Sequence, residues 1–170
     1  MTTDYEQMWL PVEEKPPTRT KKTIISKKYM ITIFWNPNGF HVVEALADNM
    51  VFNSDYFINE ILEQINFQTS MDREKLKQNL ILHFDNARPH ISKKVVNYLA
   101  CNDMKRAPQP PYSPDIAPSD FYLFGYMKEQ LKGCKFSSKE ALLSAIYAIL
   151  EEIPEQQLKE VFIEWERRLE

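Results

Sequence analysis

Two aspartates in the middle of the chain have the chemistry and the setting of a metal site. Asp85 follows an apolar run, Leu80–Phe84, and Asp120 follows a proline-rich loop at the start of a segment with helical periodicity. A carboxylate at a strand end and another at a helix start can meet around a divalent cation such as Mg²⁺, which prefers oxygen ligands. The same residue types also suit turns and helix caps, so the spacing alone leaves both interpretations open.

The sequence around each aspartate resembles that of a known family. The first motif is DNARPH, at residues 85–90, and the second is PYSPDIAPSD, at residues 111–120. Both resemble signatures of the catalytic domain of mariner-type transposases, in which 34 residues separate the last two members of an aspartate triad, as they do here. The resemblance implies a transposase of a cut-and-paste element that cleaves and joins DNA with two Mg²⁺ or Mn²⁺ ions. It also implies that Asp85 and Asp120 are catalytic metal ligands.

The first aspartate of that triad, which the family carries on a central strand, has no clear counterpart here. Asp4 is one candidate, but Trp9-Leu10-Pro11 already resembles the loop that follows the strand in the family. Asp85 and Asp120 alone could hold one ion weakly. We therefore expect this chain to be inactive or nearly so, and to lack the family's N-terminal DNA-binding region.

Two other interpretations compete with a partial transposase. One is a non-catalytic domesticated or decayed remnant that acts, if at all, in dimerisation or DNA contact. The other is a different ribonuclease-H-like nuclease, such as a resolvase or integrase. The Tyr-Ser-Pro-Asp motif at residues 112–115 and the 34-residue spacing argue against that second alternative.

Neighbouring polar residues are candidates for supporting roles. Asn86 and His90 could support the Asp85 turn or approach DNA, but a turn asparagine and a histidine packed near a helix start are equally open. Arg88 could contact a phosphate or pair with a carboxylate. The family often has a histidine directly before the second aspartate. In this chain Phe84 stands there and His83 lies one residue earlier.

The N-terminal part of the chain contains a basic stretch. Six basic residues and no acid lie between positions 15 and 28, namely Lys15, Arg19, Lys21, Lys22, Lys27 and Lys28. A solvated linker would have this composition. The stretch also resembles the clamp loop of mariner transposases, which implies a homodimer contact and binding of transposon-end DNA through Arg19, Lys21 and Lys22. We therefore divide the chain into a clamp-like loop, residues 1–28, and a ribonuclease-H-like portion, residues 29–170.

The elements that must position the aspartates follow from periodicity and turn residues. We predict a hairpin from 29–35 and 40–45, a helix capped near Asn53, a strand covered on both faces at 80–84 and a helix beginning at Pro89 with Ile91 buried. A short strand at 104–107 and three helices follow. This is the order of a ribonuclease-H-like fold from its second strand onward. We expect an α/β fold, a mixed sheet flanked by helices, without the first central strand.

Composition limits the remaining possibilities. A chain of 170 residues suits one domain, and its net charge of −3 argues against nucleic-acid binding over the whole surface, so DNA contacts would need local basic patches. No apolar run approaches about 18 residues, which excludes a membrane partner. The polar start of the chain and two cysteines without metal-site spacing, Cys101 and Cys134, predict a protein that is not secreted. We expect it in the nucleus of a eukaryote, or otherwise in the cytoplasm.

Overall fold

A computed structural model of the chain describes residues 28–46, 49–71 and 80–170. The predictions for residues 1–27 lie outside these ranges, and they include the clamp-like loop, Asp4, Arg19, Lys21 and Lys22. Within the described ranges, no helix is long and apolar enough to cross a membrane.

The predicted hairpin is confirmed. Strand β1, Ile31–Asn36, pairs antiparallel with β2, Gly39–Ala45. The turn between them is closed by the side chain of Asn36, whose Oδ1 accepts the Asn38 N–H at 2.8 Å, and Gly39 has a φ of +145°. The pairing register shifts after Phe34, which is a β-bulge that the sequence analysis did not anticipate.

Within the described ranges, five helices lie around the strands. Helix α1 is continuous through Ser54–Tyr56, a π-helical Phe57–Leu62 and Glu63–Met71. Helix α2 is Lys93–Cys101, and α3 joins a π-helical Ser119–Leu123 to Phe124–Gln130. Helices α4, Lys139–Glu151, and α5, Glu155–Leu169, complete the described chain. The Asn53 side chain caps α1 by accepting the Tyr56 N–H at 2.9 Å, as predicted.

The hairpin separates two hydrophobic clusters. On one face, Phe34 and Val42 join a cluster with Phe57 of α1 and Val95 of α2. On the other face, Ile33 joins a second cluster built by helices α3, α4 and α5. Because successive side chains of a strand point to opposite faces, one short strand contributes to both clusters. Helices therefore cover both faces of the hairpin.

A second pair of strands leads to Asp85. Strand β3, Ile81–Leu82, is parallel to β4, Lys105–Arg106, which confirms the short strand predicted at 104–107. The prediction that β3 is covered on both faces is wrong at Ile81, which is 58% exposed, whereas Leu82 is buried. A cavity of about 400 Å³ lies between β1 and β3 and leaves Ile81 uncovered.

The start of helix α2 also differs from the prediction. Residues 88–92 form turns, and α2 begins at Lys93 with the Ser92 Oγ accepting the Val95 N–H at 3.3 Å. Pro89 therefore does not open the helix, and Ile91, predicted to be buried, is 44% exposed. The serine cap satisfies an N–H group of the first turn, which a proline at position 89 could not do.

Candidate metal centre

Asp85 lies three residues beyond the end of β3 and is held through one oxygen. Its Oδ1 accepts the backbone N–H of Ala87 at 2.9 Å and lies 2.6 Å from Nδ1 of His90. The Asp85 side chain remains 65% exposed. Among the described residues, no hydrogen bond to Oδ2 is found, so this oxygen is available to a ligand from solvent.

Aromatic packing orients His90. Its ring centroid lies 4.4 Å from that of Phe57, 5.5 Å from Phe52 and 5.4 Å from Phe84, and its side chain is only 16% exposed. The three phenyl rings restrict the rotamers of the imidazole, so Nδ1 points at Asp85. His90 therefore does both things that the sequence left open: it packs near the start of a helix, and it contacts the Asp85 turn.

Arg106 fixes the turn that carries Asp85, and the sequence analysis missed it. Its Nη2 donates to the carbonyl oxygens of Phe84 at 3.4 Å and Asp85 at 3.2 Å, and to Oδ1 of Asn86 at 2.8 Å. Its guanidinium also lies 4.7 Å from the centroid of the Phe84 ring. The signal was present, because Arg106 lies within the short strand predicted at 104–107, and adjacent parallel strands end at the same edge of a sheet.

Asn86 joins this turn to the proline-rich loop before Asp120. Its Nδ2 donates to the carbonyl oxygen of Gln109 at 2.5 Å. Gln109 in turn donates from Nε2 to the carbonyl oxygen of Ser113 at 2.7 Å. Residues from the Asp85 turn and from the loop are therefore linked directly by side chains.

Asp120 lies in the first turn of α3. Its N–H donates to the carbonyl oxygen of Ala117 at 2.9 Å. Burial raises the pKa of the Asp120 carboxyl above its ordinary value, and the nearby negative charge of Asp85 raises it further, against the opposing effects of Lys128 and His83. The charge of Asp85 therefore acts on Asp120 although 34 residues separate the two in the sequence.

Helix α5 supports the loop that ends at Asp120. Trp165 donates from Nε1 to the carbonyl oxygen of Ile116 at 2.8 Å, and Arg168 donates from Nη1 to that of Asp115, also at 2.8 Å. From the hairpin, Trp35 donates from Nε1 to Oγ of Ser119 at 3.1 Å. Asp115 itself lies in a 3₁₀ turn, Pro114–Ile116, in agreement with the turn predicted there.

His83 lies between the two parts of the site. Its ring centroid is 4.9 Å from that of Trp165. Burial lowers the pKa of His83, with a hydrogen bond to Gln109 and the charge of Asp120 acting in the opposite direction. The half-buried imidazole therefore packs between the end of β3 and helix α5.

Of the four basic residues predicted to bind DNA, the structure describes one, Arg88. Arg88 is exposed next to the Asp85 turn, and no ion pair to its guanidinium is found in the parts of the chain that the structure describes. Its guanidinium is therefore accessible to a phosphate. Arg19, Lys21 and Lys22 lie outside the described residues.

The donor set fits one divalent cation. Burial and the charge of Asp85 make the Asp120 carboxyl costly to ionise, and a positive charge nearby relieves that cost. Hard cations prefer such oxygen ligands. Across 28–46, 49–71 and 80–170, no group of three or more His, Cys, Asp or Glu residues is arranged to hold a metal ion. Asp85 and Asp120 would provide two of the ligands that such a cation needs.

Comparisons of the sequence identify the relatives of this chain. Residues 2–79 match the family described as Transposase (partial DDE domain), a match that ends before Asp85. The chain is 30% identical over 148 residues to the human histone-lysine N-methyltransferase SETMAR, which covers 84% of the chain and 21% of that protein. It is 28% identical over 134 residues to the mariner Mos1 transposase of Drosophila mauritiana, which covers 75% of the chain and 38% of that protein.

Solved structures show the same fold. The Mos1 transposase catalytic domain solved with raltegravir and Mn has a TM-score of 0.76 to this chain at 24% identity, and the match covers 84% of this chain and 72% of that one. The Mos1 paired-end complex with the left transposon end has a TM-score of 0.77 at 21% identity and covers 95% of this chain and 47% of that one. The α/β fold is therefore the ribonuclease-H-like fold that the order of elements predicts.

Proposed function

Because this chain belongs to the mariner-type transposases, we propose that it provides the Asp85–Asp120 part of a catalytic domain that cuts and joins DNA at the ends of a cut-and-paste transposon. The observation that carries this proposal is the hydrogen-bonded link from the Asp85 turn, through Asn86 and Gln109, to the loop before Asp120. The two carboxylates are close enough for the charge of Asp85 to raise the pKa of Asp120. The chain spans about a fifth and about two-fifths of the two curated relatives it matches. The activity of the whole protein is therefore part of the proposal.

The cation in this proposal is Mg²⁺ or Mn²⁺, held by Asp85 and Asp120. Mos1 structures that contain Mn or Mg support this choice. When bound, such ions activate an attacking oxygen and stabilise the leaving oxygen of a phosphodiester. His90 and the Ala87 N–H hold Oδ1 of Asp85, which would leave Oδ2 to bind the cation.

DNA is the proposed partner. Mos1 complexes that contain a transposon end support this choice. Arg88 is positioned to contact a phosphate beside the acidic pair, and such contacts position DNA without reading its sequence. Arg19, Lys21 and Lys22 would add phosphate contacts from the clamp-like loop, which would also hold a second copy of the protein in a homodimer. In a eukaryotic cell the protein would work in the nucleus.

The chain by itself is proposed to be inactive. In the family, three carboxylates hold two ions, whereas the described residues contain no cluster of three possible ligands, and Asp85 and Asp120 are two carboxylates whose charges interact. Two carboxylates hold at most one ion weakly, and the two-ion arrangement needs ions about 3.5–4 Å apart. We therefore expect the purified chain with Mn²⁺ to leave supercoiled DNA uncut.

Calorimetric titration with Mn²⁺ tests the proposal. The 170-residue chain should take up about one ion, and Asp85→Asn or Asp120→Asn should each remove most of the binding heat because each removes one of two ligands. Asp115→Asn, a change on the same loop, is the matched control and should bind as the unchanged chain does. Unaltered Mn²⁺ binding in Asp120→Asn would disprove the metal site. Nicking by the purified chain that Asp85→Ala abolishes would disprove its inactivity.

A further inference from the structure

Tyr112 has a backbone conformation that its residue type avoids. Three described residues other than glycine have a positive φ: Asn49 at +63°, Asp103 at +55° and Tyr112 at +56°. Asn and Asp enter this region readily because their short polar side chains bond locally, whereas a bulky side chain there is an outlier. Strain of this kind persists where the surrounding structure enforces it and is concentrated at functional sites.

The tyrosine ring gains nothing from packing that would offset the strain. Its side chain is fully exposed, more so than any other large apolar side chain in the described ranges. The next most exposed are Val51 at 72% and Phe67 at 67%. The strained backbone at Tyr112 is therefore not offset by packing of the ring against the described part of the chain.

Hydrogen bonds join the loop around Tyr112 to the Asp85 turn. The residues on either side are joined because Ser113 donates from Oγ to the carbonyl oxygen of Pro111 at 3.1 Å. Gln109 holds the Ser113 carbonyl oxygen at 2.7 Å, and Asn86 holds the Gln109 carbonyl oxygen. Asn86 directly follows Asp85, so three consecutive contacts tie the tyrosine to the metal site.

We propose that Tyr112 is a stacking platform for an unpaired base of the DNA strand that lies across Asp85 and Asp120. A flat ring in a hydrogen-bonded loop stacks on a base at little entropic cost, and every base offers a π-face. Between residues 108 and 115, Tyr112 is the only large apolar side chain that is exposed, which suits a single base better than a protein surface. This inference rests on the proposed function, because it assumes that DNA reaches the acidic pair.

Fluorescence of 2-aminopurine tests the stacking directly. The probe is a duplex with a short single-stranded end, in which 2-aminopurine is moved along the unpaired positions, mixed with the full chain at low salt. One position should be quenched on binding. Tyr112→Phe should retain the quenching, whereas Tyr112→Gly should remove it and weaken binding about 5- to 100-fold. Phe67→Ala, which removes another exposed aromatic ring, is the matched control and should change neither.

Thermal unfolding separates stacking from a structural role. Glycine adopts a positive φ without strain, so Tyr112→Gly should leave the Tm unchanged or raise it while DNA binding falls. A lower Tm in both Tyr112→Gly and Tyr112→Phe would overturn the inference in favour of a structural tyrosine. Salt-dependent DNA binding by the unchanged chain with no Tyr112-dependent quenching would overturn the inference alone. No DNA binding by the unchanged chain would overturn the proposed function and the inference with it.

Discussion

Asp85 and Asp120 are held in different ways although the charge of one acts on the other. Asp85 has two hydrogen bonds to its Oδ1 and a turn fixed by Arg106, yet its side chain is mostly exposed. Asp120 has no hydrogen bond to its carboxylate among the described residues, and burial and the charge of Asp85 raise its pKa. The protein thus positions Asp85 through polar contacts and positions Asp120 through the backbone of the loop before it.

Because of this difference, we expect substitutions near the two carboxylates to affect the stability of the fold to different extents. Changes under the Asp85 turn should alter the stability of the fold, because the turn connects β3, β4 and helix α2. Changes to the support of the Asp120 loop should have a smaller effect, because α5 contacts that loop through single hydrogen bonds. Changes to the charge of Asp120 should act mainly through pH.

Arg106→Met should have the largest effect. It removes the donor to the Phe84 and Asp85 carbonyl oxygens and to Asn86, so we expect the free energy of unfolding to fall by about 2 kcal/mol. Urea unfolding measures this change. Lys105→Met is the matched control on the same strand, with an exposed side chain, and should change stability by less than about 0.5 kcal/mol. Equal effects of the two variants would contradict the role given to Arg106.

Trp165→Phe should have an intermediate effect on the other side of the site. The change keeps most of the ring packing and removes the Nε1 donor to the Ile116 carbonyl oxygen, which predicts a loss of about 1 kcal/mol in urea unfolding. Ile163→Ala, an exposed position on the same helix, is the control. A loss as large as that of Arg106→Met would mean that both carboxylates depend equally on their supports.

Asp120→Asn should have the smallest effect, and its sign should depend on pH. The pKa of Asp120 is raised in the folded chain, so the folded state binds this proton more tightly than the unfolded state does. The resulting stability is present below the ordinary value of 3.8 and is lost as the pH rises through the folded value. Asn carries no charge, so the variant should be more stable than the unchanged chain at neutral pH, with the advantage disappearing in acid.

Thermal unfolding across pH 3 to 7 measures this last difference. Asp115→Asn serves as the control for removing one carboxylate from the same loop. An advantage of Asp120→Asn that grew towards acid pH would show that the carboxyl pKa is lowered instead of raised. Mn²⁺ should reduce the difference in Tm between Asp120→Asn and the unchanged chain at neutral pH, because a bound cation stabilises the ionised carboxylate of the unchanged chain.

Some features of the fold and site were predictable because they depend on neighbours in the chain. The Asn36–Gly39 turn and the Asn53 cap are local arrangements of a side chain and nearby backbone groups, and both occur where predicted. The motifs around Asp85 and Asp120 predicted the family for the same reason, since each is a continuous run of residues.

Other features depend on contacts between distant segments and could not be read from the chain. The shift in register after Phe34 arises where the two arms of the hairpin meet. Ile81 is exposed because a cavity lies beside β3. Helix α2 begins at Lys93 because the side chain of Ser92, and not a residue next to Pro89, caps its first turn. Each of these outcomes is a balance between local preference and packing that a pattern of residue types does not contain.

The two aspartates themselves show where this division lies. Their identity, their 34-residue spacing and their positions at a strand end and a helix start follow from residue types and order along the chain. Their different electrostatics follow from folding. His90 contacts Asp85, Arg106 donates to the Asp85 carbonyl oxygen and Asp120 becomes buried only when distant segments of the chain come together. Charge interactions fall off with distance and depend on burial, and neither quantity exists until the chain has folded.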